Sequence, residues 1–545
     1  MLDSERLTDW LSLLREALNG VDEREISNAI AAFRYAVERS ASNMPATSAE
    51  AHYSTYHTTV SDFAASQETA DALSSARAVF DRDGYPLFAA HASAEIAMSR
   101  AKDDRFEESC AQLCDALIRY ARLGELRRIG DCLSNLGTVR LAQDRHMQAE
   151  AALLLGWEFF AEHSQLERSA DCSHGLGATY LAMGRYRRAE ESFTAATVVF
   201  AKAGLMARLA DSIQGLGNTY EATGRFDLAA HELLRAKTIF EELGDVVGVA
   251  EANQNLGVVF ESNQQFDEAE EATQRAHAAF LEARLPFRAA ECKQNLGIIF
   301  EICRRTDEAL QTHQSASDTF TAMGSLEKVA DCDMNIGVAL RSAGRFDEAQ
   351  GKLTRARSYY SSNSLHEKLA WCDVNLGLLS VLQAHTMPVD SPSRREEMRA
   401  GLDRSLPAVL FLDAQRFQFA HAPVRQAWAR QTVKRMAAIF EWAAELGDSS
   451  LVCELIETAI NSGMHVAGTD LVAPAIGIDP ARLAHHLASL DGGHRLVAWP
   501  VLPMSPPPKL RMPDGNIALE QYISGVDVLY ARVPRPANPV DVAGA

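Results

Sequence analysis

The sequence predicts an all-α chain built as a solenoid of stacked helix pairs, followed by a small mixed α/β segment. Two observations predict it. A unit of forty residues repeats without insertion or deletion, so that Leu-Gly or Ile-Gly recurs at Gly137, Gly177, Gly217, Gly257, Gly297, Gly337 and Gly377. Twelve residues after the first six of these stands an alanine: Ala149, Ala189, Ala229, Ala269, Ala309 and Ala349. A further column, Ala76, Ala116, Gly156, Ala196, Ala236, Ala276, Ala316 and Ala356, is followed four residues on by an aromatic, at Phe80, Tyr120, Phe160, Phe200, Phe240, Phe280, Phe320 and Tyr360. A fixed period of this size is the mark of a solenoid.

The spacing inside the unit makes each half a helix. Residues four apart share one helix face, and a small residue at a crossing lets two axes approach, so Ala-x-x-x-Phe is a stripe that fills the space between layers. The first helix of a pair, A, is expected over about 127–141 and its equivalents, and the second, B, over about 146–162. Between them stand Gly184-Arg185-Tyr186, Gly224-Arg225-Phe226 and Gly344-Arg345-Phe346. Glycine in the left-handed conformation ends one helix, and Asp227 or Asp347 is expected to open the next. A propeller has a similar period but needs four short strands per unit, which this helical spacing excludes.

The Gly, Ala, Ala spacing resembles that of the tetratricopeptide repeat, which sets small residues at its eighth, twentieth and twenty-seventh positions. The likeness runs over about 340 of the 545 residues. The unit is forty residues rather than thirty-four, and the family's terminal proline is missing. In this it is similar to the forty-residue class of kinesin light chain and of bacterial peptide-responsive regulators. That resemblance implies a right-handed superhelix whose concave wall, lined by A helices, binds a peptide or a protein segment.

Composition narrows the partners. Lys and Arg number 53 against 73 Asp and Glu, a formal charge of −20. The balance argues against a nucleic-acid phosphate partner and for solubility or a basic partner. No run of eighteen apolar residues occurs, and the first residues show no basic region before an apolar core, so a cytoplasmic protein with no membrane partner is expected. Of the nine cysteines, Cys132, Cys172, Cys292, Cys332 and Cys372 share one column of helix A with Ser212 and Ala252. Exchange with serine and alanine marks a small packing position. Cys110 and Cys114 have no histidine or second cysteine pair at ligand spacing, so no metal or other cofactor is expected.

Four segments are expected along the chain: an N-terminal helical cap at 1–45, eight or nine repeats at 46–384, a non-repeat helical connector at 385–475, and a small docking segment or cover at 476–545. The cap carries Leu7, Trp10, Leu11 and Leu14, then Ile26, Ile30, Phe33 and Ala36, at helical spacing. Beyond the repeats, helices are expected over about 395–414, 422–446, 449–463 and 480–489. The last part reads as a strand at about 496–501, a turn at Pro513-Asp514-Gly515, a helix at about 517–523 and a strand at about 526–533. The pattern around Leu406 and Phe417, with Arg511-Met512-Pro513-Asp514-Gly515, resembles actinobacterial proteins that join tetratricopeptide arrays to a caspase-like CHAT protease, or the repeat-associated partners of the caspase-linked conflict systems called CATRA. That resemblance implies a separately encoded CHAT or caspase-like effector as partner. The protease dyad itself is not found: Cys453 lies in a predicted helix, and His485, His486 and His494 have no cysteine after them.

Counting each Leu-Gly glycine as the eighth position, the second is acidic in six successive units: Asp131, Asp171, Asp211, Glu251, Glu291 and Asp331. The resemblance places this position in the groove, which implies an acidic ladder able to attract a basic segment. The residues alone equally allow a solvated face paired with nearby Arg or Lys. The fifth position reads Ser134, His174, Gln214, Gln254, Gln294, Met334 and Val374, by resemblance on the same wall. Its glutamines offer donors and acceptors to an extended peptide backbone. The sixth holds Asn135, Asn255, Asn295, Asn335 and Asn375, suited to bonding a neighbouring helix or loop, with ligand contact as the alternative. At the ninth, Asn218 alone matches the groove asparagine of carboxylate-binding members; Thr138, Ala178, Val258, Ile298, Val338 and Leu378 fill the rest. Clamping of a chain terminus is therefore not expected, and the more apolar C-terminal wall suits an amphipathic helix or apolar peptide.

No glycine-rich phosphate loop, zinc-ligand spacing or nucleophile elbow is found. The expected function is a non-enzymatic scaffold or sensor holding a peptide or protein segment in the groove and regulating such an effector. Two alternatives stand beside it. A peptide-sensing regulator of transcription needs a basic recognition helix, which the first 45 residues lack. A hydrolase would have to work through the C-terminal histidines, Asp491 and Asp514.

Overall fold

The computed structural model describes residues 12–16, 18, 29–30, 69–418, 422–464, 508–530 and 539–541. Most of the expected N-terminal cap, the expected helix at 480–489, the expected strand at 496–501, and His485, His486, Asp491 and His494 lie outside the described residues. Within the cap segment, Leu13, Leu14, Leu18 and Ala29 are buried. The chain divides into two compact units, Met1–Thr219 with Ala475–Ala498, and Tyr220–Pro474 with Trp499–Ala545.

Helices of seventeen or eighteen residues dominate. The first described are α1 (Thr69–Asp83), α2 (Pro86–Lys102), α3 (Phe106–Leu123), α4 (Leu126–Ala142), α5 (His146–Glu162), α6 (Leu166–Ala182), α7 (Tyr186–Ala203) and α8 (Met206–Ala222). There follow α9 (Phe226–Leu243), α10 (Val246–Ser262), α11 (Phe266–Glu282), α12 (Pro286–Ile302), α13 (Thr306–Ala322), α14 (Leu326–Ser342), α15 (Phe346–Ser362) and α16 (His366–His385). Even-numbered helices are A helices and odd-numbered ones are B helices. In the first unit α2 packs on α3, α4 on α5 and α6 on α7; in the second, α10 packs on α11, α12 on α13 and α14 on α15.

The turns repeat every twenty residues, twice as often as the sequence motif. Gly184 has φ +66 and Gly224 φ +74, and non-glycine residues take the same left-handed conformation at Asp104, Asp144, Ser164, Gln264, Arg284, Arg304 and Ser364. At the first of these, Arg185 N–H donates to the Tyr180 carbonyl at 2.8 Å and Gly184 N–H to the Leu181 carbonyl at 3.0 Å, the paired bonds of a Schellman turn. Asp227 and Asp347 do not cap the following helices as expected. They lie in the first turn, behind Arg225 and Arg345 at the N-cap, where they act only on the helix dipole.

The repeated small residues are packing sites. Ala149, Ala189, Ala229, Ala269, Ala309 and Ala349 are fully buried, and the aromatic column is at most 2% exposed from Phe80 to Tyr360. A Cβ added at Gly137 would lie 2.4 Å from Leu153, at Gly177 2.8 Å from Phe193, at Gly297 2.4 Å from His313 and at Gly337 2.6 Å from Leu353. The A helix thus touches B at a point with no room for a methyl group. The column cysteines Cys132, Cys172, Cys292, Cys332 and Cys372 are also buried, and desolvation pushes the Cys172, Cys292, Cys332 and Cys372 thiols up to about 12. They are inert fillers at neutral pH.

Beyond the repeats come α17 (Pro392–Gln415), α18 (Ala422–Glu445), α19 (Ser449–Met464) and α20 (Glu520–Leu529). Leu406, Phe411, Leu412 and Phe417 are buried, and all but Phe417 belong to one core with Leu376, Leu379 and Val381 of α16. The expected strand at 526–533 is not formed over 526–529, which are helical. A strand would bury Val526, Val528 and Tyr530 together, whereas α20 buries Tyr522, Ile523, Val526 and, just past its end, Tyr530, leaving Val528 83% exposed. Strand β1 (Leu510–Arg511) pairs parallel with β2 (Val540–Asp541), and Gly515 with φ +88 makes the expected turn.

Two stability outcomes follow from this packing. Gly337→Ala should lower unfolding free energy by about 1–3 kcal/mol through overpacking, and Gly224→Ala by about 1 kcal/mol through its left-handed backbone alone; denaturant melts followed by circular dichroism compare the two. The second concerns His313, fully buried in the column held elsewhere by Leu153, Phe193 and Leu353, with neither ring nitrogen hydrogen-bonded. Burial lowers its pKa from 6.5 to about 4. The unfolded chain therefore binds the extra proton, so stability is complete above pH 6.5 and falls as pH drops towards 4, by about 3 kcal/mol in all. His313→Leu should remove that contribution to the slope in melts run between the two pH values, leaving the contribution of His91.

Candidate partner-binding face

On the A helices from α4 to α14 the second, fifth, ninth and twelfth positions follow one another at intervals of three or four residues and stay at least partly accessible. In the second unit these rows read Glu251, Gln254, Val258, Glu261, then Glu291, Gln294, Ile298, Glu301, then Asp331, Met334, Val338, Arg341. In α16 the row is Trp371, Val374, Leu378, with Val374 buried at 6%. In the first unit, Asp131, Ser134 and Thr138 on α4, and Asp171, His174 and Ala178 on α6, hold the same places.

The second-position carboxylates are matched by cations. In the first unit Arg168 Nη1 lies 2.9 Å from Asp131, and Arg208 Nη1 lies 3.1 Å from Asp171. In the second, Arg288 is 3.2 Å from Glu251, Lys328 2.8 Å from Glu291 and Lys368 2.8 Å from Asp331. Each cation comes from the next repeat, thirty-seven residues on. The Tyr360 hydroxyl also donates to Asp331 at 2.8 Å, and Gln254 accepts from Arg288 at 3.2 Å. The expected acidic ladder is therefore one rail of a paired ladder, and Asp211 of the same column is exposed.

The remaining sequence-predicted residues divide by unit. In the first, His174 Nδ1 lies 3.0 Å from Ser212 Oγ, its ring stands edge-on to Phe193, and burial lowers its pKa. Gln214 has a buried Oε1 with no hydrogen-bond partner, and Asn218 is half-buried. In the second, Asn255, Gln294, Asn295, Met334 and Asn335 are half-buried. Asn375 shows what the asparagine column can do: its amide donates to the Trp371 carbonyl at 2.9 Å and accepts from Arg341 at 2.6 Å.

A polar cavity of about 460 Å³ opens in the first unit, lined by Asp131, Ser134, Asn135, Arg168, Asp171 and Arg208, with His91 and Tyr120 among its other walls. Its arginines face carboxylates of the ladder. The Tyr120 hydroxyl lies 2.7 Å from His91 Nδ1, and burial, aided by Arg128, brings that imidazole down to about 4. His91 is neutral at pH 7. Among the described residues no group of three His, Cys, Asp or Glu side chains is placed to hold a metal ion, and no helix is long and apolar enough to cross a membrane.

One column escaped the sequence reading. Glu221, Glu261 and Glu301 stand forty residues apart at the twelfth position of the second unit, half-buried, and burial raises the pKa of all three. No salt bridge with a described Lys or Arg reaches them; Glu221 accepts a 3.5 Å bond from Ser262, and Glu301 feels the field of Arg341. The signal was present in the sequence as the same forty-residue spacing.

Residues 208–282 match the model of the tetratricopeptide repeat. That stretch carries tetratricopeptide repeats. No curated protein matches the chain. Among solved structures, a signal-transduction ATPase with a tetratricopeptide repeat sensor from Pyrococcus horikoshii is 10% identical at a TM-score of 0.47, covering 63% of this chain and 53% of that one. Aspartyl phosphate phosphatase F from Bacillus subtilis is 11% identical at 0.44, covering 66% and 94%, and the apo form of RapI is 13% identical at 0.41, covering 50% and 97%. None of the three brings a ligand or an activity to this chain.

The repeat-to-repeat ladder makes a testable statement about pairing. Glu291→Lys or Lys328→Glu alone should each lower stability by about 0.5–1 kcal/mol, and the double exchange should recover most of it, because the pair is half-exposed and worth little more. Denaturant melts of the four proteins measure the coupling.

Proposed function

We propose that this chain is a non-catalytic scaffold or sensor that holds a peptide or protein segment on the open face of its A helices. The observation that carries the reading is the row of second, fifth, ninth and twelfth positions, repeated on successive A helices and left at least partly accessible from α4 to α14. Carboxylates paired sideways, amides and an apolar column together offer backbone-directed hydrogen bonds and apolar contact on one surface. Asp131, His174, Asp211, Gln214 and Asn218 are the contact candidates of the first unit. Glu251, Gln254, Asn255, Glu291, Gln294, Asn295, Asp331, Met334 and Asn335 are those of the second.

Regulation of a CHAT or caspase-like effector is the narrower form of this proposal. Its support is the sequence likeness around Leu406 and Phe417; both residues are buried, Leu406 in the core shared with α16, so the likeness speaks for a shared connector architecture. The exposed turn at Asp514 and Gly515 is the part of that likeness available to an effector.

Site-specific photo-crosslinking tests the general reading. A benzoylphenylalanine placed at Gln254 or Gln294 should give discrete protein adducts in native lysate, and the same group at Glu271, on the outer surface of α11, should not. Equal adducts from both faces, or none from the A helices, would sink the proposal.

A further inference from the structure

The ninth-position column changes character in the second unit. Val258 is 36% exposed, and Ile298, Val338 and Leu378 are half-buried, giving an apolar strip across four successive A helices where earlier repeats have Thr138, Ala178 and Asn218. Beside it run Glu221, Glu261 and Glu301, the carboxylates that no described cation pairs with, in contrast to the neutralised second-position column on the other side. An apolar strip with negative charge along one margin, offset at Glu301 alone by the field of Arg341, asks for an occupant with the complementary pattern.

The end of the same face shows such a contact within the chain. In the last A helix the acidic second position is replaced by Trp371, and the guanidinium of Arg435 from α18 sits 4.5 Å from its ring centroid. Helix α18 is itself basic over much of its length, with Arg425, Arg430, Lys434 and Arg435, and its Ile439, Trp442 and Ala443 enter the adjoining core. A cationic side chain from a neighbouring helix is thus already seated on this wall at its last repeat.

We infer that the open face of α10, α12 and α14 docks a cationic amphipathic helix from a partner protein, its apolar side on Val258, Ile298 and Val338 and its Lys or Arg side chains on Glu221, Glu261 and Glu301. The spacing agrees: packed helices lie about 10 Å apart, and residues seven apart on a helix are separated by about 10.5 Å. One basic residue per two turns therefore meets one carboxylate per repeat. The half-burial of these glutamates favours a positive partner over water, since their charged form is already partly desolvated.

This inference rests on the scaffold reading above, and its test separates the two. The probes are two labelled synthetic helical peptides with leucines on one face, one bearing lysines at seven-residue intervals and its twin bearing glutamates there, titrated into the full chain by fluorescence anisotropy. The lysine peptide should bind about tenfold or more tighter than its twin, and E221Q/E261Q/E301Q should cut its affinity about tenfold and flatten its salt dependence. The exposed-surface set E242Q/E271Q/E282Q should leave it unchanged. V258K, a change at an exposed position that the fold tolerates, should also abolish binding. Equal binding of the two peptides, insensitivity to the inner glutamines, or equal loss from the surface set would overturn the inference. If crosslinking at Gln254 captures a partner while the lysine peptide fails, the cationic occupant alone is wrong; if both fail, the scaffold reading falls with it.

Discussion

Everything in the repeats depends on the closeness of two helices at one backbone position. The eighth-position glycine meets a side chain sixteen residues on, and that side chain is Leu153, Phe193, Thr273, His313 or Leu353 in different repeats. The filler varies in size and polarity while the glycine does not. What is constant is therefore the missing methyl group, which lets the A backbone come into contact with whatever B supplies. The left-handed residue every twenty positions holds the length of each helix fixed, so that the contact recurs in register. With both held, the second, fifth, ninth and twelfth positions have nowhere to go but the opposite side of A.

That side is less acidic than the composition suggests. A formal charge of −20 and six successive carboxylates read as a negative wall, yet at least five of the six are met by an arginine or lysine from the following repeat. Pairs of this exposure add little to stability. Their larger effect is to leave the polar rail nearly neutral, so that the sign of the face in the second unit is set by the smaller twelfth-position column. Charge that is counted in the sequence and charge that a partner meets are different quantities.

The fold was readable because packing makes demands on particular atoms. A glycine where a Cβ would clash, an alanine at a crossing and an aromatic four residues on each leave a mark at a fixed spacing, and helix ends fell within a residue or two of 127–141 and 146–162. The candidate face was less readable, for two reasons. Which positions of A point away from B came from family resemblance, not from the residues; and the cations that neutralise the acidic column are thirty-seven residues distant, a relation created only when layers stack. The misread strand at 526–533 has a similar cause. Val526, Val528 and Tyr530 alternate as in a strand, but the choice between periods is made by the core beneath, where Tyr522, Ile523 and Tyr530 find Asp403, α17 and Asp373.

The last repeat shows how a repeated surface is brought to a close. Asp373 is 1% exposed and would be an expensive charge if left alone, but Arg357 lies 2.6 Å away and Tyr530 donates its hydroxyl at 3.0 Å while stacking on Phe411. The residue after the C-terminal helix thus completes a polar site that belongs to the final helix pair. On the other side of that pair Trp371 takes the place of the acidic column under Arg435, and α17 fills the position of the next B helix, with Ser405 against Gly377. Each device substitutes for something a further repeat would have provided: a partner for the buried charge, a cover for the open row, and a filler for the glycine. The open face of the second unit is consequently finite, and among the described residues the repeats from α10 to α14 are those whose outward side chains no later helix covers.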